Sequence, residues 1–184
     1  MNNTEDIEKA KLEKIKQVQQ VTATTVFSEA IKEKGIEDFS VESVKSTKAD
    51  TILLVNVKGN NVLLKVSANA KKWTSDVPKI VDALSDETKS SKEIFDALMN
   101  TKLPPLETPV WLLKNLKLKP NKNGKVRFFT QGIIQNLYDL YVEDLELVGV
   151  TEIEKKNYMS HIGTNLKLKS LIIAEGLKKI GEEA

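Results

Sequence analysis

Thr51-Ile52-Leu53-Leu54-Val55-Asn56-Val57-Lys58-Gly59-Asn60-Asn61-Val62-Leu63-Leu64-Lys65-Val66 is the stretch on which the fold turns. Two apolar, β-branched runs flank Lys58-Gly59-Asn60-Asn61, residues that tolerate positive φ, so the pattern predicts two antiparallel strands joined by a tight hairpin. Upstream, Ser40-Val41-Glu42-Ser43-Val44 alternates with a period of two and adds a third strand. Further upstream, Thr4 followed by Glu5, Asp6 and Glu8 starts a helix, with a capping oxygen and acids over the positive end of the macrodipole. Gly35 closes that helix, and the β-branched run over 21–27 is expected to interrupt it. Residues 1–72 therefore read as an N-terminal helix plus a three-stranded antiparallel sheet.

Downstream the period changes. Thr74-Ser75-Asp76 before Val77-Pro78 predicts a helix over 76–86 with Val77, Ile80, Val81 and Leu84 on one face. Ser90 or Ser91 caps a second helix over 92–99, with Ile94, Phe95 and Leu98 inward. After Pro104-Pro105, Thr108-Pro109 opens a third helix that carries Trp111 among leucines, where an aromatic is expected in the core. Residues 117–129 read as a hairpin with a cationic tip at Pro120-Asn121-Lys122-Asn123-Gly124. The remainder is expected to be helical, over 131–146, 151–162 and 166–180. In the last helix Leu168, Leu171, Ile172, Leu177 and Ile180 offer an apolar surface to the body or to a second subunit. The expected class is α+β, divided into 1–72, 73–130 and a C-terminal helical region over 131–184.

Composition narrows the chemistry. The chain has 184 residues, 28 Lys plus Arg against 26 Asp plus Glu, one His and no Cys, and at 40% hydrophobic with 29% charged it is globular. Absence of Cys excludes disulfides, thiolate zinc sites and thiol catalysis. His161 is the sole histidine, so neither a histidine-rich metal site nor a Ser-His-Asp arrangement is expected. The glycines are isolated and form no phosphate-cradling loop. No enzyme, metal or cofactor is expected. With no long apolar run and no basic-then-apolar leader, the expectation is a cytoplasmic protein without a membrane partner.

Charge is unevenly placed. Residues 108–130 carry six cations, Lys114, Lys117, Lys119, Lys122, Lys125 and Arg127, and no acid, whereas 131–154 carry six acids and no cation. Grouped cations contact several phosphates together and gain from counterion release; a solvated surface that neutralises the acidic segment is the bland alternative. The order of elements over about 74–130 resembles a winged helix-turn-helix DNA-binding domain. That resemblance implies Thr108 at the groove-facing start of the recognition helix, Lys114 and Lys117 as phosphate or base contacts, and Lys119, Lys122, Lys125 and Arg127 as wing cations. With few polar groups on that helix, backbone contacts are expected over base readout. The expected function is duplex DNA binding by a transcriptional regulator that forms a homodimer or larger oligomer through its C-terminal helices. An assembly subunit, and a binder of single-stranded DNA or RNA that stacks bases on Trp73, are the alternatives. Asp50 followed by Asn56-Val57-Lys58 resembles a restriction-type nuclease core in which Asn56 replaces the second acid. An amide lacks the charge that magnesium prefers, so cleavage is not expected.

Overall fold

The structure, a computed structural model, describes residues 3–114, 116–134, 140–153 and 168–180. Its first helix, α1 (Asn3–Glu33), is unbroken. The run over 21–27 does not interrupt it, because Ala23, Phe27 and Ile31 fall four residues apart and are buried together, and packing outweighs weak intrinsic propensity. β1 (Phe39–Ser46), β2 (Asp50–Val57) and β3 (Asn60–Ser67) form the expected antiparallel meander. Val57 faces Asn60 across the β2–β3 turn, leaving Lys58 and Gly59 alone to reverse the chain with φ of 52° and 85°. Positive φ at both central residues is what a two-residue primed turn needs.

Two 3-10 turns, Ala70–Lys72 and Thr74–Asp76, lead into α2 (Val77–Ser85), which has a proline in its first turn. α3 (Ser91–Met99) starts with a complete capping box: the Ser90 hydroxyl accepts from the Glu93 N–H, and the Glu93 carboxylate accepts from the Ser90 N–H. Both helices lie where the apolar spacing puts them. With α1 they cover one face of the sheet, meeting Leu53, Val55, Val62, Leu64, Phe129 and Val148.

Beyond residue 99 the chain departs from expectation. The third helix, expected to open at Thr108, is a single turn, α4 (Val110–Leu113). Leu112 and Leu113 from α4 and Leu116 just beyond it pack on the opposite face of the sheet against Leu54, Leu63, Phe128 and Leu147, so that packing is reached without a long helix. The expected hairpin over 117–129 is also corrected. Its second arm belongs to β4 (Lys125–Ile134), an interior strand that lies parallel to β3 on one side and to β5 (Asp144–Ile153) on the other. The described residues of the expected C-terminal helices form strands and the links between them, with no α-helix among them. Residues 131–134 finish β4, 151–153 finish β5, and β6 (Ser170–Ile173) and β7 (Lys179–Ile180) lie one after the other along β5. Residues 154–162 of the second expected helix, His161 included, lie outside the described residues.

Among the described residues the sheet has seven strands in the order β1-β2-β3-β4-β5-β6, with β7 also on β5. All three segments expected as separate regions contribute to it. In β4 and β5 apolar residues are buried at adjacent positions only in the middle, at Phe128-Phe129 and Leu147-Val148, and such short apolar runs are not distinguished from buried helix by local periodicity. Gly149, at φ 91°, sits under α3: a Cβ there would lie 2.0 Å from the Thr130 carbonyl oxygen and 2.4 Å from the Phe95 ring.

Candidate nucleic-acid interface

The first of the expected contacts is displaced. Thr108 is only 7% exposed, and its hydroxyl shares a 2.6 Å hydrogen bond with that of Thr130, itself donating to the Leu106 carbonyl. Buried and paired, it does not face a groove. This corrects the assignment of Thr108 as the reading end of a helix, which α4 is too short to be.

Lys114, Lys117, Lys119, Lys122 and Lys125 are all exposed. Leu112, Leu113 and Leu116 turn toward the second face of the sheet, so the lysines between and beyond them point outward. The chain then climbs to the N-terminal edge of the parallel strands and is clamped there by a buried asparagine pair. Asn61 accepts from the Lys119 N–H at 3.0 Å, and its amide donates to the carbonyls of Lys119, Arg127 and Gly59. Asn56 donates to the Asn61 side-chain oxygen at 2.9 Å and to the Lys119 carbonyl at 3.1 Å. A buried amide retained in an apolar sheet is costly unless bonded; here the bonds fix the arm. At the edge, the Asn121 side chain accepts from the N–H groups of Asn123 and Lys125, which closes the turn bearing Lys122. Gly59 makes room for that turn: a Cβ at residue 59 would stand 2.5 Å from the Asn121 nitrogen.

Arg127 differs from the lysines. Its Nε donates to Glu146 at 3.0 Å, and Glu146 also accepts from the Ser91 hydroxyl at 2.6 Å. Lys125 and Arg127 stand in register with Asp144 and Glu146 on the neighbouring strand. The opposite charge blocks of the sequence are thus adjacent strands at this edge, and Arg127 is matched within the chain.

Around this edge lies a cleft of about 560 Å³. Lys58, Lys122, Lys125 and Arg127 reach it from the β2–β3 turn, the arm and β4. Asp86 and Glu87 close it from the connection between α2 and α3, and Asp144 and Glu146 from the start of β5. Lys58 pairs with Glu87 at 3.5 Å, and Asp144 accepts from the Ser170 hydroxyl. The hydroxyl and N–H of Thr88 hold the Asp86 carboxyl below its ordinary range. Among the described residues no three His, Cys, Asp or Glu side chains gather as a metal site.

The aromatics exchange their expected places. Trp73, weighed as a stacking platform, is 3% exposed, stacks on Phe27 with centroids 5.9 Å apart, and donates its indole N–H to the Ser67 carbonyl. Trp111, expected in the core, is 47% exposed, with the Lys45 ammonium 4.2 Å from its ring centroid. Phe128 and Phe129 are fully buried on opposite faces of the sheet. The residues of the nuclease comparison do not converge either. Asp50 and Asn56 sit near opposite ends of β2, about 20 Å apart at ~3.3 Å per residue. Asp50 pairs with Lys65 at 3.7 Å, whereas Asn56 is buried against Asn61.

Sequence reasoning missed Asn56, Asn61 and Asn121 as the groups that place the cations, and Glu146 as the partner of Arg127. The alternation Asp144-Leu145-Glu146-Leu147 was the available signal for the latter, since period two marks a strand. No helix among the described residues is long and apolar enough to cross a membrane. Compared with protein-family models, curated proteins and solved structures, the chain has no significant match.

Proposed function

We propose that this protein is a non-enzymatic nucleic-acid-binding protein that holds the phosphate backbone of duplex DNA along residues 114–125. One observation carries the reading: Lys114, Lys117, Lys119, Lys122 and Lys125 are exposed, and among the described residues none of them is paired with a carboxylate. Unpaired amines on an arm pinned by Asn56 and Asn61 keep their counterions until a polyanion displaces them, and that release favours binding. Arg127 is set aside, because Glu146 neutralises it. Base readout is not part of the proposal, since Thr108 is buried and α4 has one turn. Trp73, Phe128 and Phe129 are buried and offer no ring for stacking, whereas Trp111 is 47% exposed under the Lys45 ammonium, so the duplex reading rests on the lysine arm and is compared directly with single strand in the test.

The test is an electrophoretic shift of an end-capped duplex and a single strand of equal length at several salt concentrations. Changing Lys117, Lys119 and Lys122 together to Gln is expected to flatten the salt dependence by about 2 to 3 log units per log unit of salt, at about 0.9 for each phosphate no longer neutralised. Arg127→Gln is expected to leave the slope nearly unchanged. An unaltered slope in the triple variant overturns the proposal.

A further inference from the structure

The cleft at the strand edge differs in chemistry from the arm beside it. The arm carries cations alone, whereas the cleft sets cations against carboxylates. Ion pairing uses up Arg127 with Glu146 and Lys58 with Glu87, which leaves Lys122 and Lys125 as the cleft cations without a carboxylate partner among the described residues. Two ammonium groups, one from the turn at Lys122 and one from the first residue of β4, suit one phosphate dianion. Asp144, on the strand beside Lys125, and Asp38 and Asp86 also line the cleft with carboxylate oxygens, which accept hydrogen bonds from hydroxyl or amino groups and repel a second phosphate. A run of consecutive phosphates does not fit such a wall. A body with one anionic end and several hydroxyls does, and a volume of about 560 Å³ is ordinary for a small-molecule site.

We propose that this cleft binds one nucleotide unit, its phosphomonoester on Lys122 and Lys125 and its ribose hydroxyls on Asp144 and Asp86. The shared chemistry is a phosphomonoester on ribose or deoxyribose, and its two sources are a free nucleoside monophosphate and the phosphorylated end of a nucleic-acid strand. The strand-end source rests on the DNA-binding reading; the free-nucleotide source does not. Because the turn at Lys122 joins arm and cleft, a strand lying along the arm ends with its terminal phosphate at the cleft mouth.

The experiment uses the full chain and five probes in calorimetric titration: AMP, adenosine, inorganic phosphate, and a short duplex in a 5′-phosphorylated and a 5′-hydroxyl form. AMP is expected to bind at least tenfold more tightly than adenosine or inorganic phosphate. Lys122→Gln with Lys125→Gln is expected to weaken AMP at least tenfold, and Asp144→Asn severalfold. Circular dichroism verifies that the exposed lysine changes leave the fold intact. Preference for AMP alone supports the free-nucleotide source, and preference for the 5′-phosphorylated duplex alone supports the strand end. Should AMP bind no better than inorganic phosphate and the 5′-phosphate bring no preference, the proposal falls, whether or not end-capped duplex still shifts. Binding of AMP without any shift of end-capped duplex removes the arm reading and leaves the cleft standing.

Discussion

Asp76 is the charged side chain most committed to the interior. It is 5% exposed, accepts from the Lys102 N–H at 2.6 Å and faces Lys79 at 3.6 Å. The Lys102 N–H is the main cause that holds its carboxyl below the usual range, with the charges of Lys79 and Lys102 adding to it. A depressed pKa means that this carboxylate stabilises the fold above its ordinary pKa of 3.8, and that the contribution is lost as pH falls through the lower folded value. Thermal melts from pH 6 down to pH 2 are therefore expected to show a shallower acid decline in Asp76→Asn than in the parent. Gly149 gives a second prediction at this scale. Alanine there meets a carbonyl oxygen and an aromatic ring while holding a positive φ, and roughly 2 to 4 kcal/mol of destabilisation is expected in urea titration.

Among the elements, the lysine arm depends on Asn61 more than on any turn of helix. Asn61→Ala removes five side-chain hydrogen bonds and leaves the Lys119 N–H, the Asn56 amide and several carbonyls without that partner. A loss of about 2 to 4 kcal/mol is expected in chemical denaturation, together with faster amide exchange at Lys119, because the arm loses its anchor to β3. At the β4–β5 pair, a double-mutant cycle of Arg127→Met and Glu146→Met is expected to give a coupling of about 0.5 to 1.5 kcal/mol, reduced from a buried pair by partial exposure. A coupling near zero would mean that the charge blocks are placed side by side without stabilising each other. The helices α2 and α3 were legible because caps and apolar spacing are local, and Ser90 with Glu93 is such a signal. β5 was legible in principle from its alternation, yet the neighbouring residues 131–143 favoured a helical reading.

For the molecule as a whole, the two hydrophobic clusters lie on opposite faces of one sheet, and the first half of α1 belongs to neither. Its buried residues begin at Ala23, and Ile7, Val18 and Val21 are exposed; Gln19 donates to the Lys48 carbonyl where the helix first meets the body. Removing residues 1–16 is therefore expected to shift the melting temperature by no more than a few degrees, since little apolar area returns to water. A collapse of the fold on that truncation would mean that the overhang supports the sheet.

The sequence by itself determined the start of α1 and its end near Gly35, the β1–β3 meander with its two-residue turn, and helices α2 and α3, because each follows from caps, turn residues and periodicity within a few residues; the continuity of α1 through 21–27 came from packing. It also marked Lys114, Lys117, Lys119, Lys122 and Lys125 as a basic group, and all five are at the surface. Only the tertiary structure decided that 125–134, 144–153 and 170–180 are strands beside β3, that Thr108 is buried, and that Arg127 answers to Glu146. Parallel pairing joins residues far apart in sequence, so its register and its charge partners are set by tertiary contacts and not by neighbours along the chain.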